Sequence, residues 1–170
     1  MLARNEVIFK WTLYGAAAVL CLLVQEALLQ RITLWGVIPF IYPLVAVIPA
    51  TLERPVAGTI FALCVGVVCD LLLPEVFPCF YTLIFPLAGL CAALLSQSVL
   101  RASFLCSLVA SVIAFLMTGL FHGFLLWVGG KTAWGSAAFV TVREMLFSLP
   151  LIFPVTVLFR AVYAKAHKND

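Results

Sequence analysis

The stretch that decides the fold is residues 53–73, which read ERPVAGTIFALCVGVVCDLLL. Between Val56 and Leu73 this stretch carries a single charge, Asp70, among apolar and small residues. A helix that crosses the hydrocarbon core of a membrane needs about 20 mostly apolar residues. The pattern therefore predicts a membrane-spanning helix that begins just after the turn Glu53-Arg54-Pro55.

The composition of the whole chain matches this stretch. Hydrophobic residues make up 65% of the 170 positions, charged residues make up 10%, and the mean hydropathy is +1.21. A soluble domain carries about 25% charged residues, because its surface must face water. We therefore expect one all-α integral membrane domain over residues 1–170, built as a six-helix bundle. The predicted spans lie near residues 9–29, 34–52, 56–73, 80–96, 104–128 and 143–163.

The placement of lysine and arginine predicts the orientation of this bundle. Cytoplasmic loops of membrane proteins carry an excess of these residues. With the N-terminus inside, seven of the ten basic residues fall on the cytoplasmic side and three, Arg31, Lys131 and Arg143, fall outside. Both termini are therefore expected to be cytoplasmic. The net charge of +3 is small and forms no dense basic run, so we expect no nucleic-acid partner.

A stripe of small residues follows the predicted third helix. Gly58, Ala62, Gly66 and Asp70 recur every four residues, and each step shifts by only about 40° around a helix with 3.6 residues per turn. Small residues at this spacing let another helix approach closely, and such packing drives association in lipid. We interpret the stripe as a helix-packing face or a partner face.

Asp70 is expensive to place within a membrane helix, so the sequence predicts a partner or a role for it. One interpretation is a carboxylate at the helix end that reaches the lipid headgroups. The other is an ion pair with Arg143 on the same predicted side. Glu144 and Glu26 would then complete an outer charged cluster of Glu26, Asp70, Arg143 and Glu144.

The predicted cytoplasmic turn Glu53-Arg54-Pro55 connects the second and third helices. Proline is well suited to the first position of a helix, and Glu53 would oppose the positive end of the helix dipole. The turn is interpreted as a capped hairpin, with a contact site for a cytoplasmic partner as the alternative.

The residue inventory argues against catalysis and against a bound cofactor or metal. The chain has no HExxH motif, no phosphate-binding GxxxxGK[ST] loop and no plausible Ser–His–Asp set. His122 and His167 are the two histidines, so we expect no metal site built on histidine. The cysteines form no CxxC pair and are expected to be small buried hydrophobic residues; they are Cys21, Cys64, Cys69, Cys79, Cys91 and Cys106.

These motifs, taken in order, resemble the rod-shape-determining MreD family. The resemblance lies in the turn and first glycine of residues 53–58, in Gly66 and Asp70 with the leucines that follow, and in the Arg143-Glu144 start of the final helix. It covers nearly the whole chain in length, in helix count and in the order of motifs. One segment departs from it, since residues 74–78 carry two prolines where the family often has a glycine-containing turn.

This resemblance implies a fold and a set of partners. The family's fold is similar to the six-helix S component of energy-coupling-factor vitamin transporters. Its members belong to the bacterial elongation complex in the cell membrane and carry no chemistry of their own. They associate with the bitopic protein MreC and, through it, with RodA, a class B penicillin-binding transpeptidase and the actin-like MreB. We therefore expect a non-catalytic scaffold that supports cell shape and lateral peptidoglycan synthesis.

Two other functions remain open at this point. A substrate-binding S component would need several hydrogen-bonding side chains around a pocket, and the sequence offers Asp70, Glu26, Gln25 and Arg143. A proton or ion channel would depend on Asp70 alone.

Overall fold

A computed structural model describes residues 2–32, 36–73, 78–98, 103–131 and 133–166. These residues form seven α-helices: α1 (Leu2–Ala27), α2 (Tyr42–Leu52), α3 (Pro55–Leu72), α4 (Phe80–Ser98), α5 (Phe104–Val128), α6 (Trp134–Ser148) and α7 (Ile152–Ala166). Short 3-10 turns lie at Leu29–Arg31 and Leu149–Leu151. The start of the predicted second span, the loop at residues 74–77, and Arg101 with its neighbours fall outside the described residues.

Five helical segments of the described chain are long and apolar enough to cross a membrane: Glu6–Arg31, Pro55–Leu72, Phe80–Gln97, Phe104–Val128 and Trp134–Ala166. An all-α membrane bundle is therefore confirmed. The count of six spans is not, because the predicted second span has a different structure.

The predicted second span contributes only the 11-residue helix α2. At about 1.5 Å per residue, this helix is about 16 Å long, roughly half of a hydrocarbon core about 30 Å thick. Its residues are buried from Tyr42 to Thr51, so the helix lies within the bundle and makes no lipid-facing surface over that range. Residues 36–41 before it are not helical. Pro39 and Pro43 account for this, since proline lacks a backbone donor and restricts the residue before it.

The final predicted span also differs from the expectation. Its helical path begins at Trp134, nine residues before the expected start at Arg143, and a 3-10 turn that contains Pro150 separates α6 from α7. The charges of Arg143 and Glu144 suggested a helix end, but both residues lie inside α6. The Arg143 guanidinium lies over the Phe139 ring, 5.3 Å from its centroid. Such a contact shelters a cation part-way along an apolar helix.

The core of the bundle surrounds α2. Helices α3, α4, α5 and α7 pack against α2, while α1 packs chiefly on α7 and α6 packs chiefly on α5. At the end where α2 meets α3 (the α2–α3 end), the rings of Trp11, Tyr14, Phe61 and Phe159 pack together. The opposite end, where α3 meets α4, is called the α3–α4 end. The outward side chains of the spans are apolar, as expected of a surface that faces lipid.

Candidate functional site

The small-residue stripe of α3 is a seam inside the protein. A β-carbon added to Gly58 would lie 2.6 Å from the Cα atom of Ala50 on α2. One added to Gly66 would lie 2.6 Å from the carbonyl oxygen of Tyr81 on α4. Ala62 is fully buried, and a β-carbon on Gly89 of α4 would lie 2.8 Å from its methyl group. Of the two interpretations of the stripe, the structure favours helix packing within one chain.

Asp70 ends this stripe as a cap on the next helix. Its Oδ1 accepts a hydrogen bond from the backbone N–H of Tyr81 at 2.9 Å, and its Oδ2 accepts one from that of Thr82 at 2.8 Å. The hydroxyl of Thr82 also donates to Oδ2 at 2.5 Å. Tyr81 and Thr82 lie in the first turn of α4, whose N–H groups have no partner within the helix. The carboxylate therefore lies at the positive end of the α4 dipole.

The residue that precedes the capped helix α4 has an unusual backbone conformation. Cys79, directly before α4, has a φ of 61°. Few residues other than glycine adopt this left-handed region. The turn at Cys79 brings the first turn of α4 to Asp70, so two side-chain oxygens replace the cap that a residue next to the helix normally supplies.

The other residues of the predicted outer cluster have separate surroundings. Glu26 accepts hydrogen bonds from the hydroxyl of Tyr42 and from the amide of Gln30, the latter at 2.5 Å. Arg143 packs on Phe139, as described above, and Glu144 lines a cavity between helices.

The turn of Glu53, Arg54 and Pro55 begins α3 at the predicted position, but the expected cap is not formed, because the residue before the helix, Arg54, makes no side-chain capping hydrogen bond. Pro55 is the first residue of the helix, and the carbonyl of Arg54 accepts a hydrogen bond from the Gly58 N–H at 2.9 Å. Glu53 has a role that the sequence did not indicate. Its side chain is 5% exposed, and it forms an ion pair with Lys10 of α1 at 2.6 Å.

The hydroxyl of Tyr14 completes this contact by donating to the second carboxylate oxygen of Glu53 at 3.0 Å. The turn thus fastens the first helix to the α2–α3 end. Arg54 points outward and remains exposed.

Gln25 is a structural residue whose role the sequence reasoning missed. Its Nε2 donates to the carbonyl of Pro39 at 2.9 Å, and its Oε1 accepts from the N–H of Ile41 at 2.8 Å. Between them, the N–H of Phe40 donates to the hydroxyl of Ser148 at 2.8 Å. Non-helical backbone at membrane depth is tolerated only where protein satisfies its polar groups. The feature of the sequence that could have indicated this role is a glutamine within an apolar helix, 14 residues before Pro39.

The cysteines divide into two groups. Cys21, Cys69 and Cys106 are buried, as expected, whereas Cys64, Cys79 and Cys91 are exposed. The expectation of burial is wrong for these three: Cys64 lies on the outward face of α3, Cys91 on that of α4, and Cys79 in the turn before α4. In the described ranges all six are free thiols, and no group of three or more His, Cys, Asp or Glu side chains has a geometry suited to a metal ion.

A cavity of about 190 Å³ lies near the α3–α4 end, bounded by residues 36–41, α4, α5 and α6. Tyr81, His122 and Glu144 contribute to its wall. Pockets for drug-sized ligands measure about 300–1,000 Å³, so this cavity is too small for a solute of that size.

Comparisons of the chain with protein-family models, with curated proteins and with solved structures gave no match. The function is therefore inferred from the residues of the chain and from their arrangement.

Proposed function

We propose that this chain is a non-catalytic, multi-pass scaffold of the bacterial elongation complex, in the MreD family, and that it resides in the cell membrane with both termini cytoplasmic. Its direct partner is an MreC-like bitopic protein. RodA, a class B penicillin-binding transpeptidase and MreB are reached through that partner. The resemblance in motif order and the use of the polar side chains support this proposal.

The observation that carries the proposal is that the prominent polar groups hold the bundle together. Asp70 caps α4, Glu53 binds Lys10 and Tyr14, and Gln25 binds the backbone before α2. A transporter or an enzyme needs polar groups directed at a substrate. Here the same groups are directed at the protein's own backbone and side chains, which is what a rigid scaffold requires.

The outward faces of the helices are the surfaces that remain for a partner. The α3 stripe is buried, so a bitopic partner helix would meet other residues. Leu63 on α3, Leu23 on α1 and Val157 on α7 are each more than 40% exposed and lie on three different helices. Single cysteines at these three positions, in a background without native cysteines, would show by crosslinking which face meets the partner.

The proposal is tested by affinity purification of the full chain from the membranes of its own cell. The scaffold proposal expects an MreC-like bitopic protein to co-purify in a fixed ratio, and depletion of the chain to turn rods into spheres. Normal cell shape after depletion, together with no bitopic partner in native membranes, would reject the proposal.

The alternative named by the sequence is an S component for uptake of a small molecule, although the cavity at the α3–α4 end is smaller than the usual pocket for a ligand of drug size. A thermal-shift screen of the purified chain against water-soluble vitamins distinguishes the two. The scaffold proposal expects no stabilisation, whereas a vitamin that binds at submicromolar concentration would establish the transporter candidate.

A further inference from the structure

A groove, which we call the α5–α6 groove, follows the contact between these two helices. Its lining combines small residues with larger apolar ones, among them Gly119, Gly123, Ala137, Ala138, Leu120 and Val142. The helices approach closely here, since a β-carbon added to Gly123 would lie 3.1 Å from that of Ala137. Leu120 and Val142 are about half exposed, so the groove is open to the surroundings of the bundle. Because it lies along apolar membrane-spanning segments, those surroundings are lipid.

Aromatic side chains continue this groove toward the end of α5. Trp134, the first residue of α6, lines the groove and also lines a cavity of about 310 Å³ together with Phe124 and Trp127. The centroid of the Trp127 ring lies 6.2 Å from that of Phe124 and 6.4 Å from that of Trp134. All three side chains are about half exposed. Tryptophan is enriched where the hydrocarbon meets the lipid headgroups, so the groove leads from the hydrocarbon to the headgroup region.

The groove and the aromatic cavity together have the length of one lipid leaflet. They extend along α5 from Leu116 to Trp127, a distance of about 16 Å at about 1.5 Å per helical residue. Half of a hydrocarbon core about 30 Å thick is about 15 Å. The acyl chain of a lipid in one leaflet therefore matches this surface, whereas a partner helix that crosses the membrane would require a surface about twice as long.

The charge at the aromatic end of the groove favours an anionic headgroup. Lys131 is exposed and lies between the two tryptophans in the sequence, in the connection from α5 to α6. The sequence contains no aspartate or glutamate from residue 76 to residue 143, and Glu144 lies about 15 Å along α6 from its first residue. Glu26 and Asp70 belong to α1 and α3, which contribute no lining residue to the groove or to the aromatic cavity in the described part of the chain. A phosphate is therefore the complementary group for this lysine.

We propose that the α5–α6 groove binds one anionic phospholipid, with an acyl chain along the groove and the phosphate beside Lys131. The apolar lining accounts for the chain, and the lysine accounts for a preference for negative charge. One lysine next to a membrane surface favours an anionic lipid about fivefold. This inference does not depend on the scaffold proposal, since lipid binding is measured on the purified chain without a protein partner.

The test uses the full chain and counts the lipids that remain bound to it. The protein is reconstituted in vesicles of equimolar phosphatidylglycerol and phosphatidylcholine with the same acyl chains, extracted in a neutral detergent and analysed by native mass spectrometry. We expect one retained phospholipid per chain, with phosphatidylglycerol favoured about fivefold over phosphatidylcholine. Because the acyl chains are the same, this ratio reports the headgroup alone.

Two variants separate the acyl chain from the headgroup. Ala138→Leu fills the groove from an exposed position on α6, so it should fold and lose most of the retained lipid of both kinds. Ala161→Leu is its matched control, because Ala161 is exposed on α7 and does not line the groove. Lys131→Gln should still retain a lipid but lose the preference for phosphatidylglycerol. Lys165→Gln, which removes an exposed lysine of α7, should keep both the lipid and the preference.

Three results would overturn the proposal: no lipid retained by the unchanged protein, equal retention of the two lipids, or full retention by a folded Ala138→Leu variant. If Ala138→Leu does not fold, an unchanged preference for phosphatidylglycerol in Lys131→Gln overturns it. Release of a second copy of the chain or of a bitopic protein by Ala138→Leu, with the lipid still bound, would assign the groove to a protein helix and would also overturn the proposal.

Discussion

Asp70 shows how a charge in a membrane helix acquires a structural role. A carboxylate near the bilayer costs a few kcal/mol unless it is paired or solvated. Here three donors from the start of α4 surround it, and two of them are N–H groups that the helix itself cannot satisfy. One side chain therefore removes two unfavourable features of this end of the bundle, a bare carboxylate and an uncapped helix.

Asp70→Asn should destabilise the protein by about 1–2 kcal/mol. The amide retains one acceptor oxygen, but its NH₂ group cannot accept from Thr82, and the charge at the helix N-terminus is lost. The measurement is the apparent Tm of the purified protein in detergent. Glu6→Gln serves as the control, since it neutralises an exposed carboxylate on α1. Equal melting of Asp70→Asn and the unchanged protein would contradict the role of Asp70 as a cap.

Gln25 has a comparable role for the segment before α2. Gln25→Leu should destabilise the protein by about 2–4 kcal/mol, because two buried backbone groups lose their partners at about 1–3 kcal/mol each. Hydrogen exchange should also speed up at the amide of Ile41, which donates to Gln25. Gln30→Leu is the control, because Gln30 is exposed and bonds only to a side chain in the described structure. Unchanged protection at Ile41 would show that another group holds this segment.

At the scale of elements, the close approach of α2, α3 and α4 depends on residues without large side chains. Gly58 meets the backbone of α2, and Gly66 meets the backbone of α4. Backbone atoms cannot move aside as the tip of a flexible side chain can. The spacing of the α3 stripe predicted a close helix contact but did not indicate which helix would make it.

Gly66→Leu should therefore impair folding of the isolated protein, because the added side chain would overpack against backbone atoms. We expect the free energy of unfolding to fall by about 3 kcal/mol, the upper end of the usual range for overpacking. Fluorescence-detected size exclusion and apparent Tm measure this effect. Val68→Leu is the matched control, because Val68 lies on the outward face of the same helix. A Gly66→Leu variant that is as stable as Val68→Leu but no longer binds the bitopic partner would show that the stripe is a partner face.

At the scale of the whole molecule, α2 is a short buried helix that the membrane-spanning helices enclose. Helix α1 is fastened at both ends, through Lys10 and Tyr14 to Glu53 at the α2–α3 end and through Gln25 and Glu26 near the α3–α4 end. These contacts join α1 to the segments that flank α2. Helix α6 is the least buried, with Ser148 its one buried residue in the described range.

The topology gives a prediction at this scale. Arg54 and Lys131 are both exposed, and α3, α4 and α5 separate them. In a background without native cysteines, Arg54→Cys should react with a membrane-impermeant maleimide only after the cells are opened, whereas Lys131→Cys should react in intact cells. Labelling of both from the same side would contradict three crossings, and reversed labelling would contradict the predicted orientation.

The sequence by itself determined the membrane class, the all-α bundle and most helix positions. Apolar runs long enough to cross a bilayer dictate these features directly, as in α3, α4 and α5. The glycine spacing and Pro55 likewise predicted a close seam and the start of α3 correctly. These are local properties, so they can be predicted without knowing which helices are neighbours.

Only the tertiary structure decided what each polar residue does. Asp70 could reach a headgroup, Arg143 or a helix end, and the α4 N-terminus became its partner through a turn at Cys79. The prolines of the predicted second span interrupt its helix, but the partners of its non-helical backbone are Gln25 of the preceding helix and Ser148, which lies far from it in sequence. A hydrogen-bond partner is set by which segments meet in space, and apolar spacing along one helix carries no information about that.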